Sequence, residues 1–140
     1  HYGSRATGGV GLIITEMTAV SETGRITLGC AGIYTQEQLV DWKKITDFIH
    51  HNTPTKIGIQ LGHSGRKGAT KKPWEGANEP IDLPWDLISA SPIPFHEKMP
   101  IPKEMSLTDM DLITDQFVQA TKNADQVGFD LIELQAHHGF

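Results

Sequence analysis

One cysteine stands in 140 residues, so no internal disulfide can staple this fold. The lone Cys30 fits a reducing compartment and reads either as a reactive thiol or as a small loop residue. No apolar run approaches the roughly 20 residues that a membrane-spanning helix needs. Basic residues are in deficit, 12 Lys and Arg against 17 Asp and Glu, for a net charge of −5. That balance argues against a general surface for nucleic acid or anionic membrane. The opening residues, His1-Tyr2-Gly3-Ser4-Arg5, include neither an initiator Met nor the apolar core of a signal peptide. The expectation is a cytoplasmic protein whose present chain starts mid-sequence. Familiar motifs are missing too. Gly9-Val10-Gly11 has no third Gly and precedes its strand, so it is not a dinucleotide fingerprint. Gly65-Arg66-Lys67-Gly68 lacks the Gly-Lys-Ser/Thr ending of a phosphate loop. There is no His-Glu-x-x-His helix, and His137-His138 has no third ligand placed by spacing, so no metal is expected.

What is present is a set of apolar strands that each run into polar groups. They are Gly11-Leu12-Ile13-Ile14-Thr15-Glu16, Lys56-Ile57-Gly58-Ile59-Gln60-Leu61 and Asp130-Leu131-Ile132-Glu133-Leu134-Gln135. Helical patterns separate them. Thr35-Gln36-Glu37-Gln38 reads as a capping box, after which Leu39, Trp42, Ile45 and Ile49 share one face until Pro54 stops the helix. Ser106-Leu107-Thr108-Asp109 opens the next helix. Its stripe is Met110, Ile113, Phe117, Ala120, Ala124 and Val127, and Gly128 is a good terminator. His1 to Ala6 reads as the tail of an earlier helix.

Alternating continuous apolar strands and helices predict a parallel sheet covered by helices. Strand-to-helix loops are long, roughly 17–34 and 62–105, while the return joints are short. The second long loop holds every proline except Pro54, with Trp74, Trp85 and Phe95, and so reads as an ordered lid or wall. Parallel barrels keep their chemistry on that side. Three strands cannot close a barrel that needs eight. The fold class expected is therefore α/β, a partial (β/α)8 TIM barrel with roughly strands two to four and their helices. Residues 1–140 would form the N-terminal part of a single barrel domain. A small open doubly wound sheet is the other reading.

Candidate chemistry gathers at the strand ends. Gln60 carries both a donor and an acceptor, which matches a flavin pyrimidine edge or simply fills a polar layer. His63, Arg66 and Lys67, followed by Lys71 and Lys72, read as an anion site or as a solvated basic loop. Gln135 and His138 could hold a carbonyl oxygen and stabilise an enolate, or form a turn with no role.

These stretches resemble a known family. Gly11-Leu12-Ile13-Ile14-Thr15-Glu16-Met17-Thr18-Ala19-Val20, Gly24-Arg25-Ile26-Thr27, Ile57-Gly58-Ile59-Gln60-Leu61-Gly62-His63-Ser64-Gly65-Arg66-Lys67 and Gly128-Phe129-Asp130-Leu131-Ile132-Glu133 are similar to the old yellow enzyme family of flavin oxidoreductases on a (β/α)8 barrel. His1-Tyr2-Gly3-Ser4-Arg5-Ala6, Lys67-Gly68-Ala69-Thr70, Trp74-Glu75-Gly76 and Ser89-Ala90-Ser91-Pro92-Ile93-Pro94 resemble one branch more closely. That branch is the reductase part of salicylyl-CoA 5-hydroxylase and anthraniloyl-CoA monooxygenase type proteins. The resemblance implies FMN as cofactor and NAD(P)H as reductant. It implies cofactor contacts from Met17 and Gln60, and catalytic and substrate-binding roles for His138 and Gln135, with Phe140 and Arg66 also at the substrate. It further implies a small-molecule substrate with an activated double bond, with a CoA-linked substrate and a homo-oligomer among the expectations.

Two positions depart from the family pattern, which usually reads His-x-x-His/Asn-Gly-Tyr where this chain reads Gln135-Ala136-His137-His138-Gly139-Phe140. Gln135 cannot be cationic, and Phe140 has no hydroxyl to donate a proton. A flavin-binding relative with altered or lost chemistry therefore stays open beside the active oxidoreductase, as does a non-flavin barrel or half-barrel binding module. The segment alone is expected to be inactive.

Overall fold

The computed structural model describes residues 1–82 and 84–139; Leu83 and Phe140 lie outside the described residues. Helix α1 (Tyr2–Thr7) leads through a glycine turn into strand β1 (Leu12–Ala19). Helix α2 (Gln36–Asn52) and strand β2 (Lys56–Gly62) follow, then a 3-10 turn over Gly65–Lys67. The long loop carries helix α3 (Pro73–Gly76) and the short strands β3 (Ile88–Ser89) and β4 (Lys103–Glu104). Helix α4 (Leu107–Val127) and strand β5 (Leu131–Leu134) complete the chain.

The main sheet has the order β1-β2-β5 and is parallel throughout. One face is covered. Ile13, Ile57, Ile59 and Leu61 from the sheet pack with Leu39, Trp42 and Ile49 of α2 and Ala120, Ala124 and Val127 of α4. Truncating one of these large side chains to Ala should cost about 2–5 kcal/mol. Three polar side chains in this layer are paired. Trp42 Nε1 donates to Gly32 O (2.9 Å), Asn123 Nδ2 donates to Ile33 O (2.8 Å), and Thr46 Oγ1 donates to Val127 O. These bonds fasten the 20–35 loop and the end of α4 to the helices.

The helix ends form as their sequences dictate. Thr35 Oγ1 accepts from the Gln38 N–H (3.4 Å), and Gln38 Oε1 accepts from the Thr35 N–H (3.0 Å). Pro54 keeps Thr53 extended, which ends α2. At α4, Ser106 Oγ accepts from the Asp109 N–H (3.2 Å), while Asp109 Oδ2 accepts from the Ser106 N–H (2.8 Å). Gly128 takes the left-handed conformation, φ 91°, as the chain turns into β5.

The apolar stripe of α4 is buried over only half its length. Ala120, Ala124 and Val127 are in the core, but Met110 is exposed and Ile113 and Phe117 are half-buried. The cause is length. A helix of 21 residues is about 31 Å long, and the seven residues of β2 span only about 23 Å. The first turns of α4 project beyond the C-terminal edge of the sheet.

The described residues of the 62–105 loop pack into a wall. Ala69, Leu87 and Met99 form a second small core, joined by Ile81 and Trp85. Trp85 Nε1 donates to Thr23 O (3.0 Å), and the Arg25 guanidinium lies 5.2 Å from the Trp85 ring centre. Cys30 is half-buried, and its Sγ accepts from the Thr27 N–H at 3.3 Å inside the loop before α2.

The sheet face opposite the helices is open. Its lower half is apolar, with Leu12, Ile14 and Leu131 exposed. Gly58 lies between them because a Cβ there would come within 2.9 Å of Leu131 Cδ2. Its upper half bears Met17, Gln60, Glu133 and Gln135.

Candidate functional site

A bulge decides which face Met17 joins. Ile14 pairs with Gly58 and Met17 with Gln60, so β1 advances three residues while β2 advances two. Without that extra residue, strict alternation would turn Met17 toward the helices with Ile13. With it, Met17 shares the open face with Gln60. Thr15 repairs the ladder at the bulge, because its Oγ1 accepts from the Gln60 N–H at 3.1 Å. Thr15 and Thr18 hydroxyls both donate to Glu16 O, at 2.9 and 3.1 Å.

Next to this row, β2 and β5 pair Gln60 with Glu133. Gln60 Nε2 donates to Glu133 Oε1 at 2.8 Å. One step further along, Gly62 is closely covered. A Cβ there would be 2.7 Å from Gln135 Oε1 and 3.0 Å from Met17 Cγ. Gln135 Oε1 is buried and has no hydrogen-bond partner among the described residues. Met17, Gln60, Glu133 and Gln135 thus form one patch at the C-terminal rim of the sheet.

The other expected residues surround a neighbouring cavity of about 680 Å³. Arg66, Gln135 and His138 line it with His63, Phe95 and Phe117. Gln60 and Met17 are not in its wall, and Gln135 is the residue common to the cavity and the open-face patch. The half-buried part of the α4 stripe, Ile113 and Phe117, supplies apolar lining. His138 has a positive φ of 60° and its ring meets His137 edge-on, 4.2 Å between centres. Its carbonyl accepts from Lys67 Nζ. Phe140, expected at the substrate, lies outside the described residues.

The basic residues of this stretch meet separate partners. Arg66 donates from Nε to Ser89 Oγ (3.1 Å), from Nη1 to Ile93 O (2.9 Å) and from Nη2 to Ser91 Oγ (3.0 Å). Those bonds clamp the loop after β3 to the 3-10 turn. Lys71 pairs with Glu79 and Lys72 with Glu75. Arg66, Lys71 and Lys72 are thus each held by local partners. Arg66 still borders the cavity, with three of its five N–H groups engaged.

His63 differs from its basic neighbours. Its Nδ1 accepts from the Gly65 N–H (3.1 Å), which leaves the other nitrogen to carry the proton. Burial lowers its pKa and keeps it neutral. Sequence reading placed His63 in a charged turn and missed this neutral, cavity-lining state. It also passed over Glu133 and Thr15. Glu133 left one signal, a charged residue two positions before Gln135 in an otherwise apolar strand.

Among the described residues, no group of three His, Cys, Asp or Glu side chains could hold a metal ion, and no helix is long and apolar enough to cross a membrane. The family model described as NADH:flavin oxidoreductase / NADH oxidase matches residues 1–140. The chain belongs to that family.

Family members share a (β/α)8 barrel, of which this parallel sheet and its helices form part. Among similar curated proteins are NADPH dehydrogenases from Listeria monocytogenes serotype 4a (strain HCC23), 39% identical, and Bacillus velezensis, 39% identical. Another from Geobacillus sp. (strain WCH70) is 36% identical. Each match covers 100% of this chain and 37% of the relative. The chain thus spans little more than a third of those proteins' length.

Proposed function

We propose that residues 1–140 are the N-terminal part of a single FMN-binding barrel domain in an NAD(P)H-dependent flavin oxidoreductase. The observation that carries this reading is the rim patch of Met17, Gln60 and Gln135 around Gly62, on the face that a closed barrel turns inward. The patch fits a flavin. The alternating carbonyls and N–H of its pyrimidine edge suit the Gln60 carboxamide, and the unpartnered Gln135 oxygen awaits a donor. Met17 would present backbone and thioether to the ring.

Bound FMN would supply hydride, received from NAD(P)H, to an activated carbon–carbon double bond. The residues of this chain would do the rest. His138 and the Gln135 amide N–H would hold the substrate carbonyl as the electron pair shifts onto its oxygen. Phe95, Phe117 and Ile113 would shelter an apolar substrate body in the adjoining cavity. The remaining N–H groups of Arg66 would meet an acidic substituent. A CoA-linked substrate agrees with the branch resemblance in residues 67–70, 74–76 and 89–94. A cytoplasmic protein, able to form homo-oligomers and inactive as the isolated segment, completes this reading.

The second reading is a flavin-binding relative with altered chemistry, and Gln135 and Phe140 favour it. Phe140 cannot donate a proton, and loss of a positioned acid typically slows a step by roughly 10²–10⁴-fold. The test uses the full-length protein, first scored for bound FMN, then reduced anaerobically with NADPH and mixed with a 2-enone or an aryl-CoA. Reoxidation of the flavin faster than in buffer supports the oxidoreductase. A flavin that is reduced but not reoxidised by any acceptor supports the second reading, and a protein without flavin overturns both.

A further inference from the structure

We propose that Glu133 is a positioning residue, which sets the direction of the Gln60 carboxamide and, through it, the affinity and electronic state of the flavin. The inference rests on the flavin reading above and adds a residue and a mechanism to it. Gln60 and Glu133 are direct partners in the β2–β5 register, and Gln60 Nε2 donates to Glu133 Oε1 at 2.8 Å. The two ends of a carboxamide are nearly the same shape but opposite in polarity. An ionised carboxylate has no proton to give, so only the nitrogen end can face it. Glu133 therefore removes the two-fold ambiguity of Gln60. The backbone of Gln60 is fixed at the same time, because its N–H donates to Thr15 Oγ1 across the bulge. With the nitrogen committed to Glu133, the Gln60 oxygen is directed away from it as an acceptor.

The consequence at a pyrimidine edge is specific. An acceptor oxygen selects the ring N–H, and the second Nε2 hydrogen is left for a neighbouring ring carbonyl. The reversed amide would put two acceptors together and two donors together. Glu133 also places a negative charge one side chain away from that edge. Charge added to the ring on reduction would be disfavoured by it, so Glu133 holds the flavin midpoint potential down.

The experiment uses full-length, flavin-loaded protein with Glu133→Gln, Gln60→Ala and the double variant. FMN dissociation constants come from fluorescence titration and midpoint potentials from spectroelectrochemistry. E133Q should weaken FMN binding about tenfold, the scale of one charge-assisted hydrogen bond, and raise the midpoint potential. In the Gln60→Ala background the same change should have little effect on affinity, because there is no carboxamide left to direct. Equal affinity losses in both backgrounds would show that Glu133 acts without Gln60 and would overturn the proposal. So would an E133Q protein with unchanged affinity and potential. If E133Q does not fold, Glu133→Ala replaces it in the same cycle, with the same two readouts. Parent protein that binds no FMN fails the flavin reading itself, an outcome separable from a parent that binds FMN but shows no Gln60–Glu133 coupling.

Discussion

At the scale of single residues, this protein depends on side chains that complete what the backbone leaves open. Thr15 is one. Its hydroxyl accepts the Gln60 N–H that the bulge removes from the ladder. Thr15→Val keeps the shape and removes the acceptor, so it should destabilise the protein by about 1–3 kcal/mol in urea unfolding. It should also weaken FMN binding, since Gln60 loses its anchor. Asp130 does similar work at the other end of the sheet. Burial opposes its ionisation, but the Ile57 N–H, Lys56 and His50 favour the carboxylate and bring its pKa down to about 2. The stability it confers is complete above the unfolded value near 4 and is lost as pH falls toward 2. Asp130→Asn should flatten that part of the stability curve relative to the parent in thermal melts. His63 is also depressed, but by burial alone and in a higher pH window. Burial lowers its pKa, so the unfolded chain binds its proton first as pH falls below about 6.5. Stability should decline there with a slope of at most about 1.4 kcal/mol per pH unit from this group. His63→Asn keeps an acceptor for the Gly65 N–H and should remove that slope; an unchanged slope assigns it to another histidine.

At the scale of elements, helix ends and strand register carry the site. Both long helices start with reciprocal caps that could be read from Thr35-Gln36-Glu37-Gln38 and Ser106-Leu107-Thr108-Asp109. Ser106→Ala should cost about 0.5–2 kcal/mol, measured by chemical denaturation. The damage should extend to the cavity, because the first turns of α4 bring Ile113 and Phe117 to its wall. The described residues of loop 62–105 are held by the small core of Ala69, Leu87 and Met99 and by the Arg66 clamp. Arg66→Lys retains charge but cannot reproduce three divergent bonds. It should increase proteolytic cleavage between residues 88 and 95 at neutral pH, and equal cleavage rates would show the clamp to be dispensable.

At the scale of the whole molecule, the dominant fact is the uncovered sheet face. Leu12, Ile14 and Leu131 are each at least 40% exposed on the side opposite the helices. Apolar faces and open strand edges of this kind drive association. The segment produced by itself should self-associate in sedimentation experiments, and a protein of the relatives' full length should bury these residues and remain dispersed. A monomeric segment with one sharp melting transition would contradict that expectation.

The amino-acid sequence by itself determined the local order of this protein. Periodicity fixed the three strands of the main sheet and the two long helices but not α3, β3 and β4, Pro54 and Gly128 fixed helix ends, and the motifs around Gln60 and Gly128 fixed the family, because each depends on neighbours within a few residues along the chain. It did not determine which residues share the rim. Tertiary structure decided that Met17 turns to the open face, that Glu133 meets Gln60, and that Arg66, Lys71 and Lys72 each have local partners. The physical reason is that a one-residue bulge reverses side-chain direction and strand register sets pairs 73 residues apart, and neither leaves a periodic trace in sequence.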